Sequence, residues 1–191
     1  MIVHPLKTRA PRLQLPGLGG LTGDRTAGAL SRRLDDGYHY FRHVTLAGGA
    51  PVDGIVVGPG GTWCLSRAEL HDRYRKRNGH WYRWNRSTDS WIPWDARPVA
   101  EARMAGHRLE LFLERAGLPA TVEPCLLVAG NGEIGWDEDQ RPGVHVHDQL
   151  DRLAARITRD EVLTPAQVDR IVALLDPRQP LPRLAPSTPG G

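Results

Sequence analysis

Asp53 stands at the head of a short apolar run, Ile55 to Val57, which Gly58-Pro59-Gly60-Gly61 turns back into a second run, Trp63 to Leu65. The pattern predicts a β-hairpin over Val52–Val57 and Thr62–Leu65 with a carboxylate at its mouth. A carboxylate so placed can ligate a hard divalent cation, provided that at least one more oxygen ligand joins it with room for water and phosphate. A second chemistry follows along the chain. Arg73, Arg75, Lys76 and Arg77 precede Trp81, Tyr82, Trp84, Trp91 and Trp94. Cations that contact phosphates, interleaved with rings that stack on bases, hold single-stranded nucleic acid without reading its sequence. The same residue types anchor protein interfaces, and they also suit a solvated charged face whose tryptophans pack inward.

Three smaller constellations carry less. His145 and His147 at i and i+2 share a strand face and, with Asp148, have the donor types of a Zn²⁺ site. No third His or Cys has a supporting spacing, so they read as surface histidines beside a helix cap. Gly58-Pro59-Gly60-Gly61 is not a phosphate loop, because no Lys-Ser/Thr follows and the chain continues into a strand. Cys64 and His80 lack a third orienting group for nucleophilic catalysis. Cys64 and Cys125 each sit in an apolar run and read as buried free thiols.

The hairpin resembles that of the nuclease-related domain (NERD) family, which reads roughly I-D-H-V-V-V-G-P-G-G-V-F-V-I-E-T-K. Val52-Asp53, Ile55 through Gly61, and Trp63-Cys64-Leu65 carry the likeness. Gly54 replaces the usual His, Ser66 the Glu and Ala68 the Lys. Thr22-Gly23-Asp24-Arg25 is similar to the family's Gly-Glu helix start, with Asp24 for Glu. Arg97-Pro98-Val99-Ala100-Glu101-Ala102 is similar to an Asn-Pro-Val-x-Gln-Ala start, with Glu101 for Gln. The likeness spans roughly residues 20–130. It implies a restriction-endonuclease-like α/β fold in which Asp and Glu of the hairpin bind Mg²⁺ and the Lys activates water.

Against that pattern, Asp53 is the one hairpin ligand kept, and Asp24 is a second metal ligand if its helix docks as the resemblance implies. Ser66 offers a neutral hydroxyl where the ion's charge needs a carboxylate. Glu69, three residues on, falls on the opposite pleat face unless a bulge redirects it. Glu101 can bring a carboxylate from the helix. The chain has only two lysines, Lys7 and Lys76, so Lys76 is the candidate to replace the lost cation. Arg67 faces the wrong side, and its pKa is too high for a general base.

The expected function is therefore a catalytically degenerate nuclease-related domain. It would bind nucleic acid or a partner through Arg73, Arg75, Lys76, Arg77, Trp81 and Trp84. One alternative is an active Mg²⁺- or Mn²⁺-dependent nuclease with migrated groups: Asp53, Asp24, Glu101 and Lys76, with Glu69 as a further ligand. The other is a scaffold that binds only protein, through the Trp-rich hairpin or the proline-rich ends.

Composition sets the frame for these groups. The chain has 191 residues, 40% apolar and 25% charged, which fits one α/β domain with tails. No apolar run approaches the ~18 residues of a membrane span. Met1-Ile2-Val3-His4-Pro5 has no signal-peptide core, which gives a cytoplasmic location as the expectation. The net charge is only +3, but it is unevenly spread. Seven cations from Arg67 to Arg86 face only Glu69 and Asp72, whereas Glu133 to Glu161 holds eight acids and four arginines. A basic stripe of this kind suits a polyanion.

The elements that must position these groups are legible in outline. Prolines and paired glycines predict an extended arm over residues 1–20, a domain over 21–176 and a disordered Pro-rich tail over 177–191. Ala27, Leu30 and Leu34 mark a helix that Gly37 stops, followed by a strand from Tyr38 to Leu46. Asn78-Gly79 predicts a tight turn joining strands Arg73–Arg77 and Trp81–Trp84. Pro98 opens a helix with an apolar stripe of Val99, Ala102, Gly106, Leu109 and Leu113, ended by Gly117. Strands follow at Thr121–Val128, Gly132–Trp136 and Gly143–Val146, then helices at Val146–Ile157 and Pro165–Leu175, the last capped by Thr164. This order predicts a mixed central β-sheet flanked by helices.

Overall fold

Every apolar strand of this chain must cover two faces, and the helices divide that task. The computed structural model describes residues 1–4, 26–46, 51–136, 144–147 and 149–176. The strands are β1 (Ile2–His4), β2 (His39–Val44), β3 (Val52–Gly58), β4 (Gly61–Glu69), β5 (Arg73–Arg77), β6 (His80–Asn85), β7 (Ser90–Pro93), β8 (Val122–Ala129), β9 (Glu133–Trp136) and β10 (His145–His147). The helices are α1, described over residues 26–31, α2 (Arg97–Arg115), α3 (Leu150–Ile157) and α4 (Pro165–Leu175).

A six-stranded sheet runs in the order β1-β2-β3-β4-β8-β10. Strands β2, β3 and β4 are antiparallel neighbours, while β1 on β2, β8 on β4 and β10 on β8 are parallel. Ile55, Val57 and Cys64 pack on one face with Leu109 and Leu113 of α2 and Ile171 of α4. Val56, Trp63 and Leu65 pack on the other with Leu30 of α1 and Leu153 and Ile157 of α3. The alternation along β3 and β4 thus assigns successive side chains to two helical layers. The mixed sheet flanked by helices is as the element order predicts. Among the described residues no helix is long and apolar enough to cross a membrane.

Three boundaries differ from expectation. Residues 2–4 of the expected arm pair with β2, with Ile2 opposite His39, so the arm begins as an edge strand. The helix expected from Val146 starts at Leu150, because Val146 is taken by β10, where it pairs with Leu126. Most consequential, Arg73–Arg77 and its partner strand do not join the main sheet. They form a second, four-stranded sheet in the order β7-β6-β5-β9. The long β4–β8 ladder ends at Glu69 opposite Ala129, turns a corner, and resumes with Arg73 opposite Glu133. At the corner Leu70 N–H donates to the Ala129 carbonyl (2.8 Å) and Gly132 N–H to the Leu70 carbonyl (2.8 Å). The Pro-rich tail at 177–191 and most of the arm lie outside the described residues.

The helix ends follow capping rules. Pro98 sits in the first turn of α2, Gly117 takes a left-handed φ of 67° just past its end, and Leu118 N–H closes on the Leu113 carbonyl (3.0 Å). Thr164 and Gln167 form a reciprocal capping box on α4. The glycine-rich turn between β3 and β4 is a docking point for the chain after α3. The Pro59 carbonyl accepts from Val162 N–H (2.8 Å) and Leu163 N–H (3.0 Å). A Cβ on Gly60 would lie 1.7 Å from the Ile157 carbonyl oxygen, so only glycine fits there.

Candidate nucleic-acid interface

The mouth of the β3–β4 hairpin opens on a cleft of about 420 Å³ against α2, lined by Asp53, Ser66, Ala68, Glu101, Met104 and Arg108. Two of the expected carboxylates, Asp53 and Glu101, therefore share one cleft. The alternation of β4 turns Ser66 and Ala68 toward it and leaves Arg67 and Glu69 exposed on the other side. That other side forms a depression of about 350 Å³ in which Asp53 meets Tyr40, His43, Arg67 and Glu69. Arg108 escaped the sequence reading. Its signal was helical spacing: Glu101, Met104 or Ala105, and Arg108 recur on one face of α2.

Among the described residues each carboxylate near the cleft already has a partner. Asp53 Oδ2 accepts from the Arg67 backbone N–H at 2.8 Å, a bond across the hairpin mouth that orients the carboxylate. Glu101 Oε1 accepts from Arg97 Nε at 2.8 Å within the same helix. Glu69 sits 3.6 Å from His71 Nε2 on the far face. Lys76 belongs to the second sheet and does not line the cleft. Asp24 lies outside the described residues. Among the described residues no three His, Cys, Asp or Glu side chains come together in a metal-binding group. Ser66 brings a neutral hydroxyl and Ala68 a methyl to the cleft, so Asp53 and Glu101 are its carboxylates among the described residues.

Gly54, where the resembling family has His, has a local cause. A Cβ there would come within 2.7 Å of the Tyr40 hydroxyl and 2.8 Å of its ring. Tyr40 lies flat over the strand, and burial, with Asp53 adding to it and Arg42 opposing, pushes its phenol up to about 12. Cys64 is wholly buried in β4, and that burial raises its thiol to about 12; His80 is exposed beside the turn of the other sheet, so the two cannot pair. Cys125 is likewise buried and raised. His145 Nε2 lies 2.9 Å from Glu123 Oε2, and its ring stacks on His147 with centroids 6.4 Å apart. Asp148 lies outside the described residues.

The second sheet has two unlike faces. Asn78 (φ 49°) and Gly79 (φ 79°) make the tight left-handed turn that the Asn-Gly pair predicts, and this fixes Arg75 opposite Tyr82 and Lys76 opposite Trp81. On the inner face Tyr74 is buried against Trp94, ring centroids 4.5 Å apart, and Trp81 meets Trp94 edge-on at 5.9 Å. Trp81, Trp94 and Ile134 pack on Ala96, Val99 and Leu126, so this face is core.

The outer face carries Arg73, Arg75 and Arg77 with Tyr82, Trp84 and Trp91. Arg73 lies over Trp84, its guanidinium carbon 5.9 Å from the ring centroid. Arg75 lies over Trp91 at 4.2 Å and beside Tyr82 at 5.9 Å. Trp84 and Trp91 meet at 5.2 Å, tilted by 68°. Of the six expected contact residues, four share this face, while Lys76 and Trp81 belong to the inner one. Tyr82 and Trp91 stand on the outer face beside those four.

Charge around the second sheet is only partly neutralised. Arg73 Nε pairs with Glu133 Oε2 at 3.3 Å, and Asp72 is shared at 3.8 and 3.9 Å by Arg83 and Arg86. Arg75, Lys76 and Arg77 have no ion pair among the described residues. The buried Nε of Arg75 has no hydrogen-bond partner. Comparison of the chain with protein-family models, curated proteins and solved structures finds no match, so the family likeness rests on the motif residues alone.

Proposed function

We propose that this chain is a nuclease-related, restriction-endonuclease-like domain that has lost cleavage chemistry and binds nucleic acid through the outer face of its second sheet. One observation carries the proposal: Arg75 and Arg77, which have no ion pair among the described residues, stand on the same face as Tyr82, Trp84 and Trp91. A guanidinium without a carboxylate partner keeps its full attraction for phosphate, and releasing the counterions of the nucleic acid drives the association. Loss of chemistry is supported by the cleft, where Ser66 and Ala68 replace a ligand and a cation and Asp53 is held by a backbone N–H.

A second reading, an active Mg²⁺- or Mn²⁺-dependent nuclease, is favoured by one fact: Asp53 and Glu101 line the same cleft. The test separates them. The full chain and Asp53→Ala are incubated with labelled single- and double-stranded DNA in Mn²⁺. Binding without cutting by either protein is expected. Cutting that disappears in Asp53→Ala would overturn the degenerate reading. A protein-only scaffold would neither cut nor bind.

A further inference from the structure

We infer that the ligand of the outer face is single-stranded nucleic acid, DNA or RNA, with neighbouring bases stacked on Trp84, Trp91 and Tyr82 and phosphates held by Arg75 and Arg77. This inference rests on the nucleic-acid reading above. Three features support it.

The first is where the rings sit. Arg75, Tyr82 and Pro93 form one cross-strand row, and Trp84 and Trp91 belong to the next row on the same face. Rows two residues apart are separated by ~7 Å along the strands. The face therefore offers adjacent aromatic steps on a four-stranded sheet, an arrangement that takes two or three splayed bases. In a duplex the base faces are covered by their neighbours, and only edges and phosphates are presented. Half-buried rings at the centre of the surface would then meet charged backbone and lose water for no return.

The second is how the arginines lie. Arg75 lies over Trp91, its guanidinium carbon 4.2 Å from the ring centroid. The guanidinium is placed by this ring and by that of Tyr82, whose centroid is 5.9 Å away, so a phosphate can be bound with little further ordering of the side chain. Arg77 is exposed at the turn end of the same strand, two residues on, and extends the positive track along β5.

The third is that the inner tryptophans answer the need for core. Trp81 and Trp94 pack with Tyr74 on Val99 and Leu126. Among the described residues Trp84 and Trp91 belong to none of the three clusters that join the sheets to the helices, so their large rings are not explained by packing between layers.

Fluorescence anisotropy of the full chain with labelled oligothymidylate, oligouridylate and a duplex of matched length tests this, with intrinsic tryptophan emission followed in parallel. The expected result is tighter binding of both single strands than of duplex, with quenched tryptophan emission. Trp84→Leu with Trp91→Leu should weaken single-strand binding by roughly tenfold or more and leave duplex binding nearly unchanged. Trp84→Phe, which keeps a ring, should retain most of the affinity and guards against a fold defect in the double variant. Equal or tighter duplex binding, with salt-sensitive affinity indifferent to the tryptophans, would overturn this inference while leaving the nucleic-acid reading intact. No salt-sensitive binding to any of the three would overturn both.

Discussion

The guanidinium of Arg75 on β5 lies 4.2 Å from the ring centroid of Trp91 on β7, bridging over the intervening strand β6. Planarity makes that contact, because an ammonium has no flat surface to lay on an indole. Arg75→Lys should therefore weaken oligonucleotide binding several-fold while leaving the dependence on salt almost unchanged. Arg75→Ala should also flatten that dependence by about 0.7 in the log–log slope, one phosphate contact on a single strand. Titrations at several salt concentrations distinguish the two variants.

A histidine at position 54, as in the family the hairpin resembles, cannot be placed without moving Tyr40. The expected outcome for Gly54→Ala is a loss of about 1–3 kcal/mol in chemical denaturation, since the Tyr40 ring is locked in the core and cannot swing aside. Gly54→Ala in a Tyr40→Ala background should show much less additional loss. Equal losses in both backgrounds would remove the steric account.

Ser66 faces the cleft beside Asp53, so a carboxylate there would pair with Asp53 as a second hard ligand. Ser66→Glu should acquire a rise in melting temperature on addition of Mn²⁺ that the unaltered chain lacks, because a ligand that binds only the folded state stabilises it. A rise of equal size in both proteins would mean that a cation site already exists.

Acid should loosen the β1 edge. His4 Nε2 and His39 Nδ1 lie 3.2 Å apart, and one of these nitrogens must be unprotonated to accept the bond. Desolvation lowers the pKa of His39 below its usual value, Asp169 opposing and the chain's amino terminus adding to the shift. The folded state thus binds this proton less readily than the unfolded state. Its contribution to stability is complete above the unfolded value near 6.5 and is lost as pH falls through the folded one. Denaturation midpoints should drop between neutral pH and pH ~5.5, and His39→Gln should reduce the drop. Identical pH profiles for the two proteins would rule His39 out as its source.

Local chemistry was easier to read than long-range arrangement. Asn78-Gly79 announces its turn because two successive positive φ angles suit few other pairs, and Pro98, Thr164 and Gly117 mark helix ends for equally local reasons. The division into two sheets was not legible. It depends on a corner at 70–72 and 130–132, where two strands bend together, and nothing in either segment alone reports its partner. Strand β7 was missed because Ser90–Pro93 is four residues long and nearly uniform in burial, without alternation to detect.

At the interface, the adjacent residues Arg75, Lys76 and Arg77 were grouped by composition, yet a strand's period of two sends Lys76 to the opposite face. The cleft was half legible. Asp53 and Glu101, named from their motifs, line one cleft, whereas Lys76, reached by elimination, lies elsewhere.

Binding by the outer face is tested most sharply by the salt dependence of oligonucleotide affinity for the full chain and for Arg75→Ala with Arg77→Ala, measured at ~50 and ~200 mM salt. Affinity should fall steeply with salt for the unaltered chain, and the double variant should bind roughly tenfold more weakly at low salt with a shallower slope. Binding that ignores salt, or that survives loss of both arginines, would contradict binding through that face.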